Sequence, residues 1–354
     1  MVIKKWIKLF FLISSIIYFS VFLVNYIIDP FGVFNSKFFE KEFQENERFI
    51  KVDFLEKNRN KFNGLMFGSS RIGTTPPSLI ESYIPNSKFY NFTLSSANFY
   101  DYEKHLAYFI KEKYPIKYLY LQIDIENMIR YGAVESDYLR KPHPYVNNKS
   151  LFNYYLSYLG GFFPSNIIGK IRKNINDLNP TVSILETGNW YKPIKDKALA
   201  ESCEEYIKSE PTFNTKYNRT IDYSQRNKNI EALKRIKKMT DINGISLIVF
   251  TTPHNKNMMD KFIIKDYFLF LRDIASITSY YDFSGYNSVT VNNCNYYEFS
   301  HYHKEISKLI SAKIFNDQSI IIPSDFGHFV NKENIDLHID MLKHQIESYL
   351  IKEN

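Results

Sequence analysis

The sequence predicts an α/β protein built on a mainly parallel sheet, with one membrane-spanning helix at its amino end. Three observations favour this fold class. An uncharged apolar run covers residues 9–28, short apolar runs alternate with amphipathic segments after it, and 44% of the 354 residues are hydrophobic. Because 30 Phe, 28 Tyr and 2 Trp contribute to that fraction, the chain has ample apolar surface for a large core.

The amino-terminal apolar run is long enough to cross a bilayer core as a helix. Residues 1–8 carry three lysines, so the positive-inside rule keeps them in the cytoplasm as a short stub and exports the rest of the chain. A cleaved signal peptide usually has a shorter apolar run and a small-residue cleavage site, whereas this run ends at Asp29 and Pro30. We therefore expect a single-pass anchor in the inner (cytoplasmic) membrane over 9–28. A buried helix of a soluble protein is the remaining alternative, disfavoured because no polar stripe interrupts the run.

The exported domain, residues 29–350, alternates short apolar runs with amphipathic segments. This alternation predicts a mainly parallel sheet covered by helices on both faces. The stretch 130–220 is rich in Tyr, Asn and Pro, and we interpret it as an irregular insertion with some helix. Strands are expected at 64–67, 89–92, 116–125, 245–251 and 279–283, and helices at 38–62, 101–113, 226–239, 303–315 and 331–350.

Composition restricts the ligands of the chain. The formal net charge is +7 without a dense basic stripe, which argues against a nucleic-acid partner. Cys203 and Cys294 are too few for a disulfide-rich scaffold or a cysteine-only zinc site. We favour two isolated buried thiols, with one bridge in an oxidising compartment as the alternative. Asp124 and Glu126 follow a predicted strand, but with no His nearby in sequence we expect neither a metal nor a cofactor.

Polar side chains at strand ends are the first candidates for a site, because ligands of open α/β sheets gather there. Ser69 and Ser70 directly follow the first predicted strand. A serine becomes a nucleophile when a base removes its proton, and the pair Glu298 and His301 suits a carboxylate that orients an imidazole base. Taken alone, the serines are equally consistent with a helix N-cap, and the Glu-x-x-His pair with a surface turn.

Four motifs in a fixed order then identify a family resemblance. They are FGSSR, YNFTLSSANFYDYE, VFTTPHN and YYDFSGYN…NYYEFSHYHKEISKLI. In this order they resemble the SGNH (GDSL-like) hydrolase superfamily. More narrowly, they are similar to its membrane-anchored bacterial branch, whose members are implicated in acyl transfer onto cell-envelope polymers. The resemblance covers residues 25–350, is thinnest across 130–220, and implies a three-layer flavodoxin-like SGNH sandwich.

The resemblance implies a role for each residue that matches the catalytic motifs. Ser70 matches the third residue of the first block and is the expected nucleophile. His301 matches the general base, and Glu298 stands at the position of the acid. The family normally has Asp there, so the longer Glu requires a different rotamer or a retracted backbone to make the same hydrogen bond.

The resemblance also implies an oxyanion hole made by the nucleophile's own N–H, a second backbone N–H and an Asn amide. Ser96 stands where the family has Gly, and its N–H can serve provided the turn does not require a positive φ. The Asn block is not recognisable. Asn98, close to Ser96 in sequence, and Asn127, after the central predicted strand, are the two candidates; otherwise both are turn residues.

Further residues near the strand ends are candidates for substrate contact. Ser69 neighbours the expected nucleophile, Arg71 could hold an anionic group, and His254 follows a strand end that should face the site. A salt bridge to a nearby carboxylate is the favoured interpretation for Arg71, and an ordinary loop histidine for His254. Asp282 is expected to anchor the turn after its strand.

We expect the protein to be an exported serine esterase or O-acyltransferase that acts on an acylated cell-envelope glycan or lipid through an acyl-enzyme. A polytopic membrane partner that supplies the acyl donor fits this class. The alternative is a catalytically degenerate SGNH-like binding or assembly protein of the envelope. A lipid-facing phospholipase is a third class and would need an apolar acyl groove.

Overall fold

The computed structural model describes residues 2–39, 44–176, 181–214 and 220–353. The chain divides into two units. Unit 1 comprises Met1–Glu56 and Ala133–Asn179, and unit 2 comprises Lys57–Gly132 and Pro180–Asn354. The predicted insertion over 130–220 is therefore shared between the units. Residue 1 of the predicted stub, 40–43 of the predicted helix 38–62, and 177–180 and 215–219 of the insertion lie outside the described residues.

Helices are distributed over both units, and those predicted at 101–113, 226–239, 303–315 and 331–350 match α4, α10, α13 and α14. In the described residues the α-helices are α1 (Val2–Ile28), α2 (Glu47–Lys57), α3 (Pro77–Glu81), α4 (Phe99–Lys111), α5 (Glu126–Ile129), α6 (Leu151–Leu159), α7 (Pro164–Ile175), α8 (Pro193–Glu201), α9 (Cys203–Ser209), α10 (Arg226–Ile242), α11 (Lys256–Met259), α12 (Ile264–Ile277), α13 (Lys304–Phe315) and α14 (Ile335–Glu353).

Strands occur in unit 2 as one six-stranded sheet and two small hairpins. All five predicted strands are confirmed, as β1, β2, β3, β6 and β7. The strands are β1 (Gly64–Gly68), β2 (Phe89–Thr93), β3 (Tyr118–Ile123), β4 (Val182–Ser183), β5 (Trp190–Tyr191), β6 (Ser246–Thr251), β7 (Tyr280–Asp282), β8 (Tyr296–Glu298), β9 (His301–Tyr302) and β10 (His328–Val330).

The large sheet is mostly parallel, as expected. Its strand order is β10-β7-β6-β3-β1-β2, and every pair is parallel except the edge pair of β10 with β7. The chain passes from β1 to β2 on one side and then to β3 on the other. The carboxyl ends of β1 and β3 therefore flank a point where strand order reverses, which is where open α/β sheets bind ligands.

Alternation along the strands directs apolar side chains to both faces of this sheet. On one face Met66 and Phe89 belong to a buried cluster with Ile80 of α3 and Ile306 of α13. On the other face the ring of Phe67 packs on Tyr102 of α4 with centroids 5.8 Å apart. Burial of each such side chain contributes about 1.5–3 kcal/mol, so helices on both faces stabilise the sheet whose edge carries the site.

Unit 1 begins with α1. The segment Lys4–Ile28 is long and apolar enough to cross a membrane, and its most apolar 18-residue stretch has no buried residue. The helix begins at Val2, so residues 2–8 of the predicted stub are part of α1. A cluster of buried aromatic side chains follows in this unit, formed by Phe31, Phe49, Tyr154, Tyr158 and Phe163.

The expectation of two free thiols is wrong. Cys203, the first residue of α9, and Cys294, just before β8, form a disulfide across 91 residues of sequence. Sequence spacing gave no sign of it, because only the tertiary fold brings α9 beside the segment that leads into β8. The bridge fits an oxidising compartment.

Loss of this disulfide should destabilise the protein. The double variant Cys203→Ser/Cys294→Ser releases a long loop in the unfolded state, so its free energy of unfolding should fall by about 2–5 kcal/mol. Urea unfolding of the full-length protein in detergent micelles measures this loss. A reductant should lower the free energy of unfolding of the wild type to that of the variant and leave the value for the variant unchanged. An equal decrease in both proteins would contradict the prediction.

Candidate active site

Ser70 lies directly after the carboxyl end of β1. The strand ends at Gly68, and Ser70 begins a short 3-10 helix that extends to Ile72. A Cβ at Gly68 would lie 2.6 Å from the Ile72 side chain, so glycine is required for the turn to close. Ser69 caps this helix by accepting from the Arg71 N–H at 3.4 Å. The capping role considered for both serines thus belongs to Ser69, and Ser70 is left half-buried at the surface.

The hairpin of β8 and β9 brings the imidazole to Ser70. Glu298 and His301 pair across it, with a two-residue connection between them, so the Glu-x-x-His spacing is that of a tight hairpin. His301 Nδ1 hydrogen-bonds Glu298 Oε1, and His301 Nε2 lies 2.8 Å from Ser70 Oγ. The structure therefore joins all three predicted catalytic residues in one chain of hydrogen bonds.

The electrostatics of this chain suit a neutral imidazole beside a charged carboxylate. Burial alone would raise the pKa of Glu298, but the hydrogen bond and charge of His301 and the ammonium groups of Lys192 and Lys195 lower that pKa to about 2. Burial lowers the pKa of His301 below its usual value, and Glu298 offsets this only in part. At neutral pH His301 is thus unprotonated and able to accept a proton from Ser70.

The carboxylate of Glu298 contacts three side chains at once. One of its oxygens faces His301, while the other lies 3.5 Å from Lys192 Nζ and 3.6 Å from Lys195 Nζ. Both lysines belong to the segment around the start of α8. The negative charge of Glu298 is therefore balanced by two cations beside it.

The segment that carries α8 and α9 also holds the hairpin in place. Tyr206 donates a hydrogen bond to the carbonyl of Tyr297, and the Tyr297 hydroxyl lies 2.6 Å from Asp196 Oδ1. Asp196 further contacts His303 at 3.1 Å, the residue that caps α13. Together with the disulfide to Cys294, these contacts fix both strands of the hairpin beside Ser70.

Arg71 connects the Ser70 turn to the β8–β9 hairpin and to the end of β3. Its guanidinium is buried and lies 3.0 Å from Asp124 Oδ2. It also donates to the carbonyl of Ser300 at 3.1 Å and to the Ser300 hydroxyl at 3.0 Å. Ser69 donates to the same Asp124 carboxylate. The favoured salt bridge of Arg71 is confirmed, and the buried positions of Ser69 and Arg71 place neither of them where a substrate could touch it.

The other candidate substrate residue, His254, is also buried. Its side chain is 4% exposed, and its Nδ1 has no hydrogen-bond partner in the described part of the chain. Burial, and then the charge of Arg71, hold the pKa of His254 well below its usual value. His254 is thus a neutral buried histidine near Arg71, and its burial leaves little surface for the candidate substrate contact.

The turn after β2 supplies a backbone donor close to Ser70. Ala97 N bonds Leu94 O at 3.0 Å to close this turn, and Ser96 has a φ of +51°. The turn therefore requires a positive φ at Ser96, whereas the expectation from the sequence was a turn that does not require one. The left-handed backbone at this residue costs about 1–2 kcal/mol. The N–H groups of Ser70 and Ser96 donate no hydrogen bond within the described residues. Leu94 N bonds Gly68 O at 3.1 Å, which ties this turn to the end of β1.

Neither candidate Asn presents a free amide at the surface of the site. Asn98 caps α4, and its Nδ2 lies 3.4 Å from the Gly132 carbonyl. Asn127 accepts from the Asp124 N–H at 2.9 Å, and its Nδ2 is fully buried without an acceptor in the described residues. Both amides therefore take part in the loops after β2 and β3 rather than in a contact with Ser70.

The remaining carboxylates take structural roles. Glu126 pairs with Arg130 at 3.0 Å, and Asp124 pairs with Arg71, so these two carboxylates are neutralised by arginines. Asp282 accepts from the Ser284 N–H at 3.1 Å, which confirms that it anchors the turn after β7. It also binds His338 of α14 at 2.6 Å, and that bond helps to lower its pKa to about 2 despite burial.

Sequence reasoning missed the residues that surround His301 on its other side. The Trp190 ring lies 6.3 Å from that of His301, and Trp190 N bonds Gly73 O at 2.9 Å. Lys192 lies over the Trp190 ring at 5.5 Å and the Tyr297 ring at 4.9 Å. Trp190 and Lys192 belong to 181–214, which has no regular hydrophobic period, so no local pattern could have revealed them. Ser300 lies inside the Glu-x-x-His motif, so the sequence could have suggested it as a residue of the site.

Comparisons with known proteins add no assignment. No family model matches the chain, and no curated protein matches it.

The buried pair of Arg71 and Asp124 should be essential for stability. Arg71→Met leaves the Asp124 carboxylate buried without its cation, so the free energy of unfolding should fall by about 3–5 kcal/mol. The double variant Arg71→Met/Asp124→Asn should recover part of that loss, because it also removes the uncompensated buried charge.

A matched control for this pair is Arg130→Met. The Arg130–Glu126 distance is the same 3.0 Å, but the Arg130 side chain is 36% exposed, so its loss should cost at most about 1 kcal/mol. Urea unfolding of all four proteins gives the comparison. Equal losses for Arg71→Met and Arg130→Met would show that burial of the Arg71 pair does not matter.

Proposed function

We propose that this protein is a membrane-anchored serine esterase or O-acyltransferase of the SGNH type that acts on an acylated glycan of the cell envelope. The observation that carries the proposal is the chain of hydrogen bonds from Ser70 through His301 to Glu298. In an α/β protein this arrangement supports nucleophilic attack by a serine on an acyl group.

The fold supports the same family. When the antiparallel edge strand β10 is left out, the strand order is that of the flavodoxin-like fold, with β1 between β2 and β3. Ser70 follows β1 and Asp124 follows β3, so the site lies at the switch point. The motif order from nucleophile to base along the chain agrees with the SGNH resemblance.

The chemistry follows from the geometry. As Ser70 Oγ attacks the ester carbonyl carbon, His301 Nε2 takes the hydroxyl proton and Glu298 stabilises the imidazolium. The ester C–O bond then breaks, the alcohol leaves with that proton, and Ser70 carries the acyl group. A second alcohol or water gives its proton to His301 and attacks the acyl carbon. The bond between the acyl carbon and Ser70 Oγ then breaks, and His301 returns the proton to Ser70. The N–H groups of Ser70 and Ser96 are the proposed donors to the tetrahedral oxyanion.

Three features favour a glycan at an envelope membrane. The half-buried Trp190 lies beside His301, and an indole is a side chain on which the C–H face of a sugar ring can pack. One apolar helix, α1, is long enough to anchor the chain in a membrane, with the remainder exported. The disulfide fits export into an oxidising space.

Reaction with a fluorophosphonate probe tests the nucleophile. Ser70 Oγ should displace fluoride from the probe and become covalently labelled, because His301 accepts its proton. Ser70→Ala should abolish labelling, and His301→Ala should slow it by about 10²-fold or more. In-gel fluorescence of the full-length protein measures the label.

Ser95→Ala is the matched control, because it removes an exposed serine on the turn beside Ser96 and should label as the wild type does. Label that persists in Ser70→Ala would exclude Ser70 as the nucleophile. A folded wild type that takes no label would instead favour the non-catalytic envelope binding protein.

Activity should depend on the protonation of His301. Because the pKa of His301 is lowered by burial, the rate should be constant at neutral pH and fall in acid with a midpoint below about 6.5. Glu298→Gln removes the negative charge that partly offsets this shift, so its midpoint should move to still lower pH. Labelling rates measured from pH 4 to about 9 give both profiles. A wild-type midpoint above the ordinary imidazole value, or an upward shift in Glu298→Gln, would refute the assignment of His301.

A further inference from the structure

Unit 1 contains a groove beside α1 that the proposed chemistry does not use. Its volume is about 310 Å³, and it is lined by α1 residues between Ile16 and Asn25, by the loop Gly161–Phe163 and by Ile167 of α7. We call it the α1–α7 groove. It lies wholly within unit 1, and its lining is almost entirely apolar.

The polar side chains in the lining are already satisfied. Asn25 Nδ2 donates to the carbonyls of Leu159 at 2.7 Å and Gly161 at 2.8 Å. Ser20 Oγ donates to Ile16 O at 2.8 Å within α1. A ligand in the α1–α7 groove therefore meets CH surfaces and no free side-chain donor, which selects an apolar ligand.

The position of the groove along α1 sets its depth in a membrane. A hydrocarbon core spans roughly 20 helical residues, and the candidate span is Lys4–Ile28. With the lysine-bearing end in the cytoplasm, residues 16–25 lie in the half of the bilayer on the exported side. Water is not available at that depth to fill an apolar space, and small apolar cavities do not hold it. The molecules present there are lipid acyl chains.

The elements beside the groove have the surface of a membrane-interface segment. Phe162 is 85% exposed, Phe152 of α6 is 69% exposed and Ile175 of α7 is 74% exposed. Helix α7 has no acidic residue, and its Arg172 and Lys173 reach the surface, whereas Lys170 is buried and donates to the Asp29 carbonyl. Exposed apolar side chains with basic companions are typical of helices that lie in the headgroup region.

The course of the groove suits a flexible chain. Its lining runs along α1 from Ile16 to Asn25, and a single acyl chain is narrow and flexible enough to follow the ridge of α1 side chains. A helix of a second copy or of a membrane partner is the alternative occupant, which the cross-linking below distinguishes.

We propose that the α1–α7 groove binds one acyl chain of a phospholipid from the exported leaflet. The proposal rests on α1 spanning the membrane and goes beyond the esterase or acyltransferase proposed above. Bound lipid would fill a space that neither water nor side chains fill, and it would hold the Gly161–Phe163 loop against α1. The headgroup would then lie near the exported end of α1, at the level of the interface.

Photo-crosslinking tests this assignment. The full-length protein is placed in nanodiscs made with phosphatidylcholine that carries a diazirine in one acyl chain, irradiated, digested and analysed by mass spectrometry. Adducts should concentrate on residues 16–25 and 161–167 relative to the exposed residues 9–12 of α1. Val21→Trp fills the groove and should reduce these adducts by about tenfold.

Phe19→Trp is the matched control, because Phe19 is 72% exposed, does not line the groove and receives the same indole. It should leave the adducts unchanged. If Val21→Trp does not fold, judged by circular dichroism, Ile17→Trp on the same lining repeats the test.

Adducts spread evenly along α1, or equal adducts in Val21→Trp and Phe19→Trp, would overturn the proposal. Disulfide cross-linking of Ser20→Cys to a second copy or another polypeptide, in place of lipid adducts, would show a protein occupant and would also overturn it. The readout needs no enzymatic activity, so failure of Ser70 labelling and failure of lipid binding are separate results.

Discussion

The buried ion pair between Arg71 and Asp124 is the interaction on which the site depends. It joins the end of β1 to the end of β3, and the same guanidinium holds Ser300 between the two strands of the β8–β9 hairpin. Three segments that are distant in sequence therefore meet on one planar group. Arginine suits this position, because its fork of fixed donors serves a carboxylate, a carbonyl and a hydroxyl at the same time.

The segment 181–214 supports the hairpin that carries His301. It packs its lysines and aromatic side chains on the hairpin, and the disulfide ties α9 to the start of β8. The carboxylate of Glu298 is thus fixed at both oxygens. A hydrogen-bonded carboxylate held in this manner orients the imidazole and needs no reorganisation when positive charge develops on it. The two lysines lie beside the second oxygen of Glu298 while its first oxygen faces His301.

The turn of Ser96 shows where the chain tolerates strain. A glycine would adopt a positive φ without cost, whereas Ser96 does so against the usual preference of a residue with a Cβ. The tie from Leu94 to Gly68 and the bond of Thr93 Oγ1 to the Ser69 carbonyl at 2.7 Å hold this turn beside the Ser70 turn. Strain of this kind persists when surrounding contacts determine the backbone, and it is common at functional sites. Its position here agrees with a role for the Ser96 N–H.

The sequence by itself determined the apolar span, the strands β1, β2, β3, β6 and β7, and the local Glu-x-x-His motif, because each is encoded by neighbouring residues through hydrophobic run length, periodicity or spacing. It did not reveal the division into two units, the short edge strand β10 or the pairing of Cys203 with Cys294. The buried orientation of Ser69, Arg71 and His254, and the support of Glu298 by Lys192 and Lys195, also emerged only in three dimensions. These features depend on which segments pack together, and packing is decided by the whole chain rather than by any local pattern.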